Sequence, residues 1–484
     1  MEINFTPLLP AAEVLLTALT VLILDLFLEK AEKGLLGWIS LLGLAIAAWM
    51  VFLLRGSQEG AFQDTYVLDS LALFFSALFI GISAITLLSS LHYLKETGIR
   101  EGEYHALILF STFGMILMAS ANDLIVFFLG LETMSIAVYV LTGMWRARSA
   151  SSEAAMKYFV IGAFATGFFL YGIALIFGAT GSTHFGRLSA FLAQPGLEAP
   201  LFFHAGVFLL LIGLAFKIAA VPFHFWVPDV YEGAPTPVSA FMAVGVKAAA
   251  FAGWARIFLG QMTPVREDWA AALWMLAILT MTAGNLLAIA QTSVKRMLAY
   301  SSIAHAGYLL IGVVAGGDTG GQALLFYLLT YAPMTLGAFA VVVALKSGEQ
   351  DCESYSDYAG LGWKRPFLAM AMSLFMLSLA GFPPLAGFAG KFYIFRSAVV
   401  EGYTNLAVAG ALIAGALNSL LSVIYYLRVV VLMYMEEGGV EGKSLAAAPF
   451  LYAAIFLGVV GTLYLGLLPA AALDLSRVAF LSLR

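Results

Sequence analysis

Apolar runs of about 20 residues recur from one end of this chain to the other, and they restrict the backbone more than any other feature. Runs of that length match the thickness of a bilayer. In hydrocarbon each N–H and C=O must be satisfied within its own segment, so such runs fold as helices. A closed barrel would show alternating strands of about ten residues, and none is evident. The pattern reads as about fourteen spans, at roughly 8–29, 34–54, 66–90, 104–120, 122–143, 153–179, 201–222, 236–258, 269–291, 297–315, 320–346, 366–398, 403–432 and 449–474. The chain is therefore expected to be an all-α polytopic membrane protein. Glu13 and Asp25 lie within the first run and no basic segment precedes it, so it reads as a mature helix rather than a signal peptide.

Lys and Arg placement gives an orientation. With the N-terminus outside, the cytoplasmic side holds Lys30, Lys33, Lys95, Arg146, Lys157, Lys295, Arg296 and Lys443 among others. That is about twice the number left outside, which include Arg55, Arg187, Arg256 and Arg484. The longest loops, about 180–200 and 347–365, leave no room for a soluble catalytic domain. The single Cys352 excludes an intrachain disulfide and a cysteine-based iron–sulfur or zinc site. No glycine-rich nucleotide loop follows a strand.

Only 11% of the residues are charged, yet Glu132, Lys217, Lys247 and Lys391 fall inside apolar runs. A charge at bilayer depth costs about 2.5–3.5 kcal/mol on insertion scales unless it is paired or hydrated. Lys247 stands at the centre of its run, too far from either end to snorkel; Lys217 and Lys391 stand nearer a helix end. Burial disfavours the charged form of each group and an approaching opposite charge restores it, which suits a proton relay. The alternatives are a carboxylate bonded to neighbouring hydroxyls for Glu132, a register-fixing ion pair for Lys247, and partial snorkelling for Lys217 and Lys391. His305 reads either as a helix–helix hydrogen-bonding residue or as a relay member. His224 is a candidate for lining an entry. Asp229 and Glu232 read as solvated or capping, Asp25 and Asp69 as structural or interfacial, and Lys295-Arg296 as a cytoplasmic anchor.

Two runs are interrupted. Pro222 removes a donor and clashes with the carbonyl of Ile218, so the helix carrying Lys217 should break one turn after that lysine. Gly381-Phe-Pro-Pro384 breaks the run 366–398, and Lys391 follows about two turns, or roughly 10 Å, later. Broken helices at mid-depth are tolerated where freed backbone lines a hydrated cavity. Aligning Pro222 with Pro383 sets Ser378 opposite Lys217 and Lys391 opposite Val230, so no internal repeat is claimed from these residues.

The motifs around these charges resemble the antiporter-like membrane subunits of respiratory complex I. They are Lys217-Ile-Ala-Ala-Val-Pro-Phe-His224 with Pro228-Asp-Val-Tyr-Glu-Gly-Ala-Pro235, Lys247, Gly130-Leu-Glu-Thr133, Gly381-Phe-Pro-Pro-Leu-Ala-Gly-Phe-Ala-Gly-Lys391, and Lys295-Arg-Met-Leu-Ala-Tyr-Ser-Ser-Ile-Ala-His-Ala-Gly-Tyr308. The resemblance covers nearly the full length, and the Pro228–Pro235 run is similar to the N-type branch. It implies one transmembrane domain over 1–484, with fourteen helices and two inverted five-helix repeats containing broken helices. The parts would be N-terminal helices over 1–103, repeats over 104–258 and 269–432, and a C-terminal helix with a short tail over 449–484. It implies a proton route in which Glu132 and Lys217 form a switching ion pair, Lys247 is the central relay, His305 belongs to the route and Lys391 gates exit. No cofactor is expected in this chain; FMN, iron–sulfur clusters and quinone would belong to partner subunits. The implied partners are neighbouring antiporter-like subunits and small K-, J- and A-type subunits, in a bacterial cytoplasmic membrane with both termini periplasmic. Nucleic acid is not among them. The rival functions are a subunit of an Mrp-type cation/proton antiporter, a structural scaffold, and a relative linked to ferredoxin or another electron donor.

Overall fold

The computed structural model describes residues 4–30, 32–194, 199–347, 350–402, 406–438 and 448–483. Lys443 and Arg484 of the charge count lie outside the described residues. Helices α1 (Leu9–Asp25) and α2 (Gly34–Leu53) lead, and a small antiparallel hairpin of Glu59–Ala61 with Tyr66–Leu68 follows. Then come α3 (Ser70–Thr97), α4 (Glu101–Ser120), α5 (Leu124–Thr142), α6 (Ser149–Thr180), the short α7 (Phe185–Leu192), α8 (Leu201–Lys217) and the two-turn α9 (Trp226–Gly233). One continuous rod follows, in which α10 (Thr236–Phe241) passes through a π-helical turn, Met242–Val246, into α11 (Lys247–Gly253) and a second π-helical stretch, Trp254–Gln261. The chain continues through α12 (Arg266–Ile289), α13 (Val294–Ala315), α14 (Gly317–Ala344), a second hairpin, α15 (Leu361–Lys364), α16 (Pro366–Ala380), α17 (Ala386–Gly402), α18 (Leu406–Met435), α19 (Pro449–Leu467) and α20 (Ala470–Leu481). Both hairpins are strands that the apolar pattern did not reveal.

Among the described residues, twelve helices are long and apolar enough to cross a membrane, and two shorter apolar helices, α8 and α16, each stop at a break. The most apolar windows of the rod 236–261, α13 and α14 are 100%, 94% and 89% buried, against 39% for α1 and α6, so these three elements are the inside of the protein. A lysine on the rod has no lipid-facing side through which to snorkel.

Packing relies on small residues. A Cβ on Gly114 of α4 would stand 2.5 Å from the backbone N of Met134 on α5 and 2.7 Å from the Gly130 carbonyl, so only glycine allows this approach. Along α3, Asp69, Ser76, Ser83 and Ser90 recur every seven residues. The three serines form a buried polar stripe below the half-buried N-cap Asp69, in which Ser83 Oγ meets Thr112 Oγ1 of α4 at 2.6 Å and Ser90 Oγ meets Tyr104 Oη at 2.7 Å. Such small polar contacts are a common way for membrane helices to pair.

Both breaks have one construction. α8 ends on Lys217 itself, earlier than the proline rule places it, because Ala219 takes a left-handed conformation (φ +59°) and closes the helix first. The Ala220 N–H donates to the Ala215 carbonyl (2.9 Å) and the Ala219 N–H to Phe216 (3.0 Å), the bonding of a Schellman motif. α16 closes likewise, with Gly381 at φ +97°, Phe382 N–H to Leu377 (3.0 Å) and Gly381 N–H to Ser378 (2.9 Å). Matching the two left-handed residues pairs Pro222 with Pro384 rather than Pro383. It sets Lys217 opposite Leu379, and Lys391 opposite Asp229.

Candidate proton-relay axis

Lys217 is the last residue of α8, where a cation complements the helix dipole. Its Nζ donates to Ser135 Oγ (2.7 Å) and Tyr139 Oη (3.2 Å) of α5, and lies 5.4 Å from the Tyr139 ring centroid. The side chain is 3% exposed, so it does not snorkel. Glu132 sits one turn before Ser135 on α5, with Oε1 buried and without a hydrogen-bond partner. The ion pair implied by the resemblance is therefore not formed in this arrangement: Lys217 binds neutral hydroxyls, and the carboxylate waits one turn away.

Lys247 opens α11 directly after a π-helical turn, an irregularity frequent at functional sites. Its Nζ donates to the Ser302 carbonyl and to Ser302 Oγ (2.5 Å), both on α13. Lys391 of α17 reaches back to the carbonyl of Ala380, which the second break has freed from its helix (3.0 Å), and to Ser419 Oγ of α18 (3.1 Å). Its ammonium stands 4.9 Å from the Tyr308 ring centroid. The roughly 10 Å of helix between Pro384 and Lys391 thus folds back beside the break. Gly381 is needed here twice, for its φ and because a Cβ would stand 3.2 Å from Lys391 Cδ.

Helix α13 joins these parts. Ser302, His305 and Tyr308 follow at three-residue spacing, so the residue holding Lys247 and the ring beneath Lys391 flank His305 on one helix. His305 Nδ1 lies 2.7 Å from Tyr327 Oη and Nε2 lies 3.1 Å from Tyr426 Oη. A neutral imidazole donates through one nitrogen and accepts through the other, so the ring links the two hydroxyls. Tyr426 also bonds Ser301, and Tyr425 donates to Asn285 Oδ1 (2.8 Å), whose Nδ2 reaches Asn418 Oδ1 (3.2 Å). Tyr327, Tyr425, Tyr426, Asn285 and Asn418 went unread in the sequence, as Ser135 and Tyr139 did; for the tyrosines the available signal was a position in mid-span, away from the interfaces they usually occupy. The structure brings Lys247 and Lys391 to α13 on either side of His305, and brings Lys217 of α8 against α5 one turn from Glu132.

The anchor reading of Lys295 is overturned, since its side chain is 0% exposed. Its Nζ donates to the carbonyls of Glu232 (3.2 Å) and Ala234 (2.8 Å) at the end of α9 and to Glu353 Oε1 (3.1 Å). Glu353 also takes Arg148 (3.3 Å). Burial pushes the Glu353 carboxyl up, and the opposing pull of Lys295 and Arg148 outweighs it, leaving Glu353 below its ordinary value. Arg296 pairs with Asp229 (3.1 Å) and Glu232, and Lys157 with Asp229 (3.1 Å). Asp229 and Glu232 are thus parts of a clamp on α9, not merely solvated. At the opposite end of the rod Arg256, 3% exposed, pairs with Asp69 (2.7 Å). Asp25 pairs with Lys33 (2.7 Å) beside the start of α4. His224 lies between the first break and α9, with Nδ1 buried and unpartnered.

Residues 121–417 match the family described as NADH:quinone oxidoreductase/Mrp antiporter, TM. A protein of Trichlorobacter lovleyi named NADH-quinone oxidoreductase subunit N is 46% identical over 478 residues, 99% of this chain and 97% of that one. A chain of respiratory complex I from Thermus thermophilus, solved with bound aureothin, superposes with a TM-score of 0.81 at 37% identity, over 96% of this chain and 98% of that one. A chain of the Mrp complex of a Dietzia species has the same fold, with a TM-score of 0.80 at 23% identity over 98% and 97%. This chain belongs to the NADH:quinone oxidoreductase/Mrp antiporter membrane family, in the branch of NADH-quinone oxidoreductase subunit N.

Proposed function

We propose that this chain is a proton-translocating membrane subunit of an NADH-quinone oxidoreductase, driven by electron transfer in partner subunits. The observation that carries this reading is a pair of buried lysines, Lys247 and Lys391, each held by neutral oxygens and connected through α13 by Ser302, His305 and Tyr308. Among the described residues no carboxylate pairs with either ammonium, and the oxygens that hold them are neutral. Glu132 and Lys217 would supply the switch: Lys217 exchanges Ser135 for Glu132 one turn away, and the charge state next to Lys247 changes with it. Lys391 would pass the proton outward past the Ala380 carbonyl. Moving one charge against 100 mV costs about 2.3 kcal/mol. In this reading FMN, iron–sulfur clusters and quinone in the partner subunits provide that energy, and the neighbours are antiporter-like and small K-, J- and A-type subunits.

Counting the two broken passages with the twelve apolar helices of the described residues would give fourteen crossings. Both termini would then lie on the periplasmic side of a bacterial cytoplasmic membrane, and the two Schellman breaks would belong to two inverted repeats, over 104–258 and 269–432. The second reading is an Mrp-type antiporter subunit, favoured by the shared fold; the 46% identity to a subunit N favours the first. Purification of the tagged protein from its native membrane in mild detergent tests both. Co-purifying redox subunits with donor:quinone reductase activity, and loss of pumping in Lys247→Ala with assembly retained, are expected. A purely hydrophobic assembly exchanging sodium for protons without a donor would move the assignment to the antiporter.

A further inference from the structure

A cavity of about 520 Å³ opens between α1, α4 and the end of α5, and no part of the relay uses it. α3 ends at Thr97, α4 begins at Glu101 and α5 ends at Thr142, so three helix termini set this cavity at the level where the spans meet water. Its two ends differ in chemistry. Leu22, Leu107, Phe110 and Val140 line the part reaching down between the helices. Arg100, Glu103 and Arg146 line the other, with Trp145 beside them, a position typical of the aromatic belt.

The charges of the polar end are incompletely matched. Arg100 Nη1 donates to Glu103 Oε1 at 2.8 Å. Glu103 Oε2 is buried and has no hydrogen-bond partner among the described residues. Arg146 is exposed at the rim, and no described carboxylate pairs with it. A buried carboxylate oxygen without a donor is costly to maintain, so it calls for a cationic donor from outside the chain. An exposed guanidinium lining the same cavity calls for an oxyanion.

We propose that this cavity binds an aminophospholipid of the phosphatidylethanolamine type, its primary ammonium on Glu103 Oε2, its phosphate on Arg146 and its acyl chains along Leu107 and Phe110. The dipolar headgroup meets the open carboxylate oxygen and the exposed guanidinium at once. A glycerol headgroup would bring no cation to Glu103, and a choline headgroup brings a cation with no N–H to donate. The membrane is the source, because the apolar half of the cavity has no use in binding a free headgroup.

The test is native mass spectrometry of the intact, delipidated complex after incubation with equimolar phosphatidylethanolamine, phosphatidylglycerol and phosphatidylcholine of the same acyl chains, ejecting this chain with its retained lipid. Phosphatidylethanolamine should be retained about tenfold over each of the others, the effect of one charge-assisted hydrogen bond. Glu103→Gln should bring that ratio close to one while phosphatidylglycerol retention holds, and Arg146→Gln should lower all three together. Quinone reductase activity of the Glu103→Gln complex should match the parent, which separates a lost lipid site from lost assembly and from any failure of the relay. Equal retention of the three lipids, an unchanged ratio in Glu103→Gln, displacement by soluble phosphoethanolamine alone, or an intact complex that keeps no lipid here because another polypeptide fills the cavity would each overturn the proposal.

Discussion

Ser302→Ala is the sharpest probe of the relay, because it changes one atom at the point where α13 receives Lys247. The parent ammonium has two acceptors there, the Ser302 carbonyl and Ser302 Oγ. Alanine keeps the carbonyl and the helix, and removes only the hydroxyl. A hydrogen bond to a charged group is worth about 1.5–3 kcal/mol, and each 1.4 kcal/mol is tenfold, so the occupancy of the charged Lys247 state against α13 should shift by roughly 10- to 150-fold. The assay is protons pumped per quinone reduced in proteoliposomes of the purified complex, normalised to assembled complex. Pumping should fall severalfold or more in Ser302→Ala and collapse in Lys247→Ala. The double variant should be no worse than Lys247→Ala alone, since the hydroxyl acts only through the lysine. Unchanged pumping in Ser302→Ala, or additive losses in the double variant, would falsify the placement of Ser302 in the route.

Other outcomes follow from the same geometry. Gly381→Ala forces a side chain into a left-handed position and against Lys391 Cδ, so it should lower thermal stability by about 1–2 kcal/mol and reduce pumping. Ala219→Gly relieves the matching conformation at the first break and should raise stability by about 1 kcal/mol; a loss of stability there would contradict the closure described. Tyr426→Phe keeps the ring but cuts the links to His305 and Ser301, so pumping should slow with assembly intact, as read from complex yield on a sizing column. Glu353 titrates below the ordinary carboxylate value of 4.5, so its contribution to stability is full above that pH and is lost as pH falls through the lowered value. Thermal melts should therefore decline more steeply below pH 4.5 in the parent than in Glu353→Gln, and Glu353→Ala should cost about 3–5 kcal/mol at neutral pH by leaving Lys295 buried and unpaired. Parallel melting curves for parent and Glu353→Gln would remove Glu353 from the clamp.

The spans, the two breaks and the unusual lysines were legible because each is written in local chemistry: apolar length, proline and glycine, and charge where charge is expensive. The partners of those lysines were not, because they come from helices far away in sequence. Lys217 reaches Ser135 and Tyr139, and Lys247 reaches a backbone carbonyl that carries no residue signature at all. Lys295 misled for a related reason. Beside Arg296 at a helix start it looks like an interfacial anchor, and only the return of α9 and the 350–358 segment over it makes it a buried clamp. The break at Lys217 fell earlier than expected because a non-glycine residue, Ala219, adopts the left-handed closure. The seven-residue recurrence from Asp69 to Ser90 was in plain view; a periodicity search on apolar residues alone passes over it.

That both Lys247 and Lys391 rest on main-chain carbonyls, of Ser302 and Ala380, bears on how such a protein tolerates change over generations. No substitution removes a carbonyl. One acceptor at each site is inherited through the course of the backbone rather than the identity of a residue, so loss of the hydroxyl at 302 or 419 weakens the site yet leaves the lysine a foothold. The carbonyl acceptors withstand any substitution at their own positions, and change is least tolerated at the lysines and at Gly381, whose conformation keeps the Ala380 carbonyl within reach.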